Sequence, residues 1–118
     1  MKRSLTGQHA EEEACRYLID SGYLIVKRNY RTRWAEIDIV VSKKDLFVFV
    51  EVRSRTGDTY GLPEESLSHQ KLHRMARAAL AYLAYNKKVL NYRIDAICVV
   101  FDDLGLVQRL DHYENVTG

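Results

Sequence analysis

Apolar and polar residues along the 118-residue chain alternate between helical and strand periods. Across residues 7–21 the apolar positions Ala10, Ala14, Tyr17 and Leu18 share one helical face, with Thr6 placed as the N-cap and Gly22 as the stop. Residues 23–32 read as a strand that is apolar where it begins and basic where it ends. Residues 34–55, WAEIDIVVSKKDLFVFVEVRSR, read as two further strands around the polar turn Ser42-Lys43-Lys44-Asp45. A Gly-, Thr- and Ser-rich loop over 54–62 either covers the hairpin end or simply connects it onward. Pro63, followed by Glu64 and Glu65, opens a second helix that runs to Asn86. Its apolar positions Leu67, Leu72, Met75, Ala76, Ala79, Leu80 and Leu83 fit one sheet-facing side, and Tyr82 and Tyr85 read as packing residues. Residues 91–101 are almost continuously apolar, as in a strand covered on both faces; a turn at 102–105 and a strand over 106–113 follow. The pattern predicts an α/β domain spanning 1–118: a mixed five-stranded sheet flanked by α-helices.

The acids in the hairpin break this pattern. Side chains alternate along a strand, so Glu36 and Asp38 share one face of the first arm, and Glu51 and Arg53 one face of the second. A turn centred on Lys44-Asp45 sets Asp38 opposite Glu51, and Glu36 opposite Arg53. Like charges directly opposite are destabilising, so a purely structural hairpin should avoid this pair; a divalent cation would convert the repulsion into coordination. In the first helix Glu11 leans onto the apolar stripe, whereas Glu12 and Glu13 point outward. A half-buried carboxylate needs a partner, either an arginine at the rim or the hairpin site, where Glu11 would be a third acid. Asp95 interrupts the fourth predicted strand, and a nearby arginine is the simplest partner for it.

Composition narrows the class. Hydrophobic residues at 47% and charged residues at 29% describe an ordinary globular protein. A net charge of +2 does not by itself argue for nucleic acid; the clustering of Lys27, Arg28, Arg31 and Arg33, and then of Arg53, Arg55, Lys71, Arg74 and Arg77, is more suggestive. Each cluster is also accounted for by a solvated surface, and the first by an edge strand protected by charge. Cys15 and Cys98 lack metal-ligand spacing and read as buried, reduced thiols. No apolar run reaches membrane-spanning length and the first residues lack a signal-peptide core, so a cytosolic protein is expected.

Taken together, Gly7-x-x-Ala10-Glu11-x-x-Ala14, Gly22-Tyr23, Arg28-Asn29-Tyr30-Arg31, Glu36-Ile37-Asp38, Phe49-Val50-Glu51-Val52-Arg53-x-Arg55, Lys71 and Arg93-Ile94-Asp95 resemble the YraN family of predicted endonucleases over nearly the whole chain. That family resembles Holliday-junction resolvases and restriction endonucleases, so the resemblance implies a restriction-endonuclease-like fold with an acid-then-(D/E)xK motif on a hairpin. It implies Asp38, Glu51 and Glu11 as metal ligands or their supporters, and Glu11, Asp38, Glu51 and Arg53 as the catalytic set. The implied cofactor is Mg²⁺ or Mn²⁺, which suits acids without His or Cys. DNA is the implied partner, with Arg28, Arg31, Arg33, Arg55, Lys71 and Arg74 as phosphate contacts. A homodimer stays open. Two positions depart from the family: Ala35 stands where Gly is usual, and Arg53 where Lys is usual. Arginine stays protonated and cannot act as a general base, although it can stabilise phosphoryl charge. The sequence therefore fits a metal-dependent nuclease acting on DNA, branched or damaged DNA included. The alternative is a catalytically inactive nucleic-acid-binding module of the same fold. A partner-binding protein whose acids and arginines only form ion pairs is the third reading.

Overall fold

A computed structural model describes residues 5–57, 61–86 and 91–117. Its elements, in chain order, are α1 (Leu5–Asp20), β1 (Leu24–Arg31), β2 (Glu36–Lys43), β3 (Leu46–Thr56), a one-turn 3₁₀ helix (Pro63–Ser66), α2 (His69–Asn86), β4 (Asn91–Phe101) and β5 (Val107–Tyr113). The five strands form one mixed sheet in the order β1-β2-β3-β4-β5. Only β3 and β4 pair in parallel, and α2 lies in the connection between them. That is the α/β architecture expected from the sequence, a mixed five-stranded sheet with a helix on each face.

Alternation along β2 and β3 divides the core between those helices. Ala10, Ala14 and Leu18 of α1 pack on Ile39, Val41, Val48, Val50, Ile97, Val99 and Phe101. Leu72, Met75, Ala78, Ala79 and Tyr82 of α2 pack on Ile37, Val40, Phe49 and Ile94. Each large aliphatic side chain fully buried in this way contributes roughly 1.5–3 kcal/mol, so the middle of the sheet is the firmest part of the molecule. Glu51 and Asp38 lie on those central strands and are held by a backbone that cannot easily move.

Local chemistry sets the element ends. At Gly22 (φ +96°) the Tyr23 and Gly22 amides close back on the Leu18 and Ile19 carbonyls, a Schellman stop that needs a left-handed residue. Thr6 lies inside α1 and is not its cap. The hairpin turns at Lys44-Asp45, with Lys43 paired to Leu46 and Lys44 at φ 54°.

Four expectations change. The predicted loop begins later, because residues 54–56 continue β3 in register with Val99, Val100 and Phe101. Whether the rest of the loop covers the hairpin falls partly on residues 58–60, outside the described residues. The predicted helix over 63–86 is divided: Leu67 is extended, and α2 starts afresh after Ser68, whose hydroxyl accepts the Lys71 amide at 3.0 Å. Leu80 and Tyr85 are exposed, while Tyr82 packs its ring against Tyr30, Phe47 and Phe49. Glu36 does not meet Arg53: it pairs with Arg31 of β1 at 2.9 Å, and the β2–β3 ladder ends at Ile39–Val50.

Candidate functional site

Beyond the last ladder pair of β2 and β3, the strands still bring Asp38 and Glu51 together. The Val52 amide, on β3, donates to Asp38 Oδ2 at 2.8 Å, tying the acid of one strand to the backbone of the other. Glu51 is 1% exposed and points to the α2 side of the sheet. Neither of its oxygens accepts a hydrogen bond of ordinary geometry among the described residues. Charges surround them instead. Lys71 Nζ, from the first turns of α2, lies 2.5 Å from Glu51 Oε2, and Arg53 Nη1 lies 3.7 Å from it.

Two carboxyls in one half-buried place cannot both ionise cheaply. Burial, the neighbouring Glu51 charge and the close approach of the Glu51 carboxyl push the Asp38 pKa up to about 8, against smaller opposing effects of the Val52 amide and Lys71. At neutral pH Asp38 therefore keeps its proton.

Arg53 is fixed more firmly than Lys71. Its Nε donates to Ser66 Oγ at 2.7 Å, and that hydroxyl in turn donates to the Pro63 carbonyl at 2.7 Å. The 3₁₀ turn carrying Ser66 is itself anchored to β5: Arg109 reaches Glu64 at 2.7 Å and also pairs with Asp111, and Tyr113 donates to Glu64 at 2.7 Å. The hydrogen bond from the Arg109 guanidinium holds the Glu64 carboxyl down to about 2, and the hydrogen bond to Glu64 lifts Tyr113 to about 12.

Residues 10–99 match the sequence profile of a family described as "Uncharacterised protein family UPF0102", the YraN family. The chain belongs to this family. A UPF0102 protein of Pelotomaculum thermopropionicum is 46% identical over 114 residues, covering 96% of this chain and 95% of that protein. A UPF0102 protein of Desulforamulus reducens is 37% identical over 118 residues, covering 98% and 97% respectively. One from Clostridium acetobutylicum is 43% identical over 111 residues, covering 92% and 90%. Glu11, Asp38, Glu51, Arg53, Lys71 and Asp95 all fall within the span matched by the family profile.

Of the residues to which the UPF0102 resemblance draws attention, the fold gathers Asp38, Glu51, Arg53 and Lys71. Glu11 is buried, and its Oε1 accepts from Asn29 Nδ2 of β1 at 2.8 Å. Among the described residues no group of three or more His, Cys, Asp or Glu is arranged to hold a metal ion. The proposed nucleic-acid contacts are spread out. Arg31 pairs with Glu36, the Arg33 guanidinium lies 4.7 Å over the Trp34 ring, and Arg55 Nη1 donates to the Ser54 carbonyl. Arg28 is exposed on β1. Arg74 lines a concavity of about 420 Å³ with His69, Gln70, His73 and Arg77, a surface without carboxylates, and Arg77 approaches the Trp34 ring from 6.0 Å.

Lys71 was legible only as one of a basic row; nothing in its spacing announces that it turns inward onto Glu51. A second cluster was legible only in part, through Asp95 and its expected arginine. Asp95 is fully buried and accepts from Arg93 Nε at 2.8 Å and Nη2 at 2.9 Å, and from the Asn115 amide at 2.9 Å. His112 Nε2 lies 2.7 Å from its Oδ2, and Tyr17 OH lies 2.9 Å from His112 Nδ1. Arg93 also donates to Tyr23 OH at 2.9 Å. The arginine expected near Asp95 is there, two residues away on the same strand face.

Proposed function

We propose that this protein is a metal-dependent nuclease that hydrolyses phosphodiester bonds in DNA, branched or damaged DNA included, and that it works in the cytoplasm. The carboxyl pair carries this reading. Asp38 and Glu51 face each other at a cost to the fold, with both Glu51 oxygens lacking a well-formed hydrogen bond. The donor chemistry fits Mg²⁺ or Mn²⁺: two carboxylates, no sulfur or imidazole, and positions left for water and substrate oxygens. Mg²⁺ commonly binds through only one or two protein carboxylates, so a third is not required. Asp38 and Glu51 would hold the ion, with Glu11 supporting the site from α1. When bound, such an ion supplies a water of lowered pKa and a Lewis acid for the phosphoryl oxygen.

The remaining work falls to the chain's own cations. Arg53, positioned by Ser66, offers fixed charge to the phosphate without proton transfer. Arg74 and the carboxylate-free surface beside it, with Arg28, Arg31, Arg33 and Arg55 as further contacts, provide phosphate binding that weakens as salt rises. The test is an assay of linear, flapped and four-way DNA with Mg²⁺ or Mn²⁺. The wild type should cleave, and Glu51→Gln should cleave at least about 100-fold more slowly. Salt-sensitive binding without cleavage of any substrate would instead identify a non-catalytic nucleic-acid-binding module. The observation favouring that second reading is the commitment of Arg53 to Ser66. Arg53→Lys separates the two further: it restores the family's usual motif, so cleavage should be retained or rise in a nuclease and stay absent in a binding module.

A further inference from the structure

Two cations share Glu51 Oε2, and they differ in their freedom. Arg53 is bonded to Ser66, and its nearer guanidinium nitrogen stays 3.7 Å from the carboxylate. Lys71 lies at 2.5 Å, and Glu51 is the partner its ammonium has among the described residues. The backbone below it is fixed, because the Lys71 amide is held by Ser68 at the start of α2. The side chain is another matter: a four-carbon stem, 36% exposed, with Arg74, which lines the carboxylate-free concavity, three residues further along α2. Lys71 can therefore leave the buried carboxylate for the solvent beside Arg74. A divalent ion bonded to Glu51, even through the Oε1 that neither cation contacts, lies within a carboxylate's width of the ammonium, and like charges at that range repel strongly.

We propose that Lys71 is an exchangeable cation, which neutralises Glu51 until a divalent metal takes that carboxylate and is then released toward the phosphate-binding surface. The proposal rests on the metal-dependent nuclease reading and adds a competition between protein and metal for one carboxylate. Bound at Glu51, the ammonium relieves the buried charge. Displaced, it adds a positive charge beside Arg74 at the moment the metal is in place, so metal loading and phosphate affinity become coupled.

Titration calorimetry with Mn²⁺ on the wild type and Lys71→Met tests the competition. Removing the competing charge should tighten Mn²⁺ binding about tenfold, while cleavage falls about 100-fold because the released cation is missing. A merely structural lysine predicts weaker metal binding in Lys71→Met, and that result would overturn the proposal. A measurement on the wild type avoids dependence on the variant's folding. Lysine acylation mapped by mass spectrometry should show Lys71 labelled several-fold faster at saturating Mn²⁺. Labelling that is unchanged or slower, with Mn²⁺ bound, removes the exchange but leaves the nuclease reading in place. No Mn²⁺ binding by either protein removes both.

Discussion

Asp95→Ala is expected to destabilise the protein by about 3–5 kcal/mol, the range found when one partner of a buried ion pair is removed. The loss arises less from the aspartate than from what it leaves behind. Arg93, the Asn115 amide and His112 all lose their acceptor, and the last of these is tied through its other ring nitrogen to Tyr17. Since β4 is the strand shared by the parallel β3 pairing and the antiparallel β5 pairing, the damage spreads to both neighbours. Thermal denaturation should show a fall of more than about 10 °C for a chain of this size. The Asp95 carboxyl is held below its ordinary value of 3.8, with the His112 and Arg93 hydrogen bonds outweighing burial. A depressed acid contributes stability above its unfolded pKa and loses it as pH falls through the folded pKa. The gap between wild type and Asp95→Ala should accordingly narrow on acidification below about pH 4. A variant within about 1 kcal/mol of wild type at neutral pH would show that the network contributes little.

Asp38→Asn should act in the opposite direction. Asp38 is an acid whose folded pKa, about 8, exceeds its ordinary 3.8. The native protein therefore keeps a proton that the unfolded chain releases, and stability falls as pH rises from about 4 to about 8. Asparagine can accept from the Val52 amide and also donate to Glu51 without carrying a charge. Without added metal, Asp38→Asn should be more stable than wild type by about 1–2 kcal/mol at about pH 7.5. The difference should vanish at about pH 4, where both forms are neutral. Divalent metal should reverse the ranking. At a hundredfold excess over Kd the wild type should gain about 2.7 kcal/mol from Mn²⁺, and Asp38→Asn should gain almost nothing. Scanning calorimetry of both proteins at two pH values, with and without Mn²⁺, measures all four differences. An equal Mn²⁺ response in the two proteins would place metal binding elsewhere than at Asp38.

The sequence by itself determined the order of elements, the α/β class and the opposition of Asp38 and Glu51. Each of these follows from local rules: helical and strand periods, a left-handed glycine after α1, and a two-residue turn at Lys44-Asp45 that fixes which hairpin residues face each other. Periodicity read less well where local hydrogen bonds competed with it, as where Ser66 and Ser68 divide a predicted helix into a 3₁₀ turn and α2. The packing of α2 then decided which of its basic residues turned inward: Lys71 lies beside the buried stripe and meets Glu51, whereas Arg74 and Arg77 stay outside. The destination of Glu11 is likewise tertiary, because its partner Asn29 stands on β1 in a left-handed conformation that no spacing rule places beside α1. Asp95 shows the same division, its arginine only two residues away but its histidine on β5 and that histidine's tyrosine on α1. Partners separated by many residues meet only when sheet and helices close together. That closure, driven by apolar burial, decided which charges must share a low-dielectric space and so which carboxyl keeps its proton.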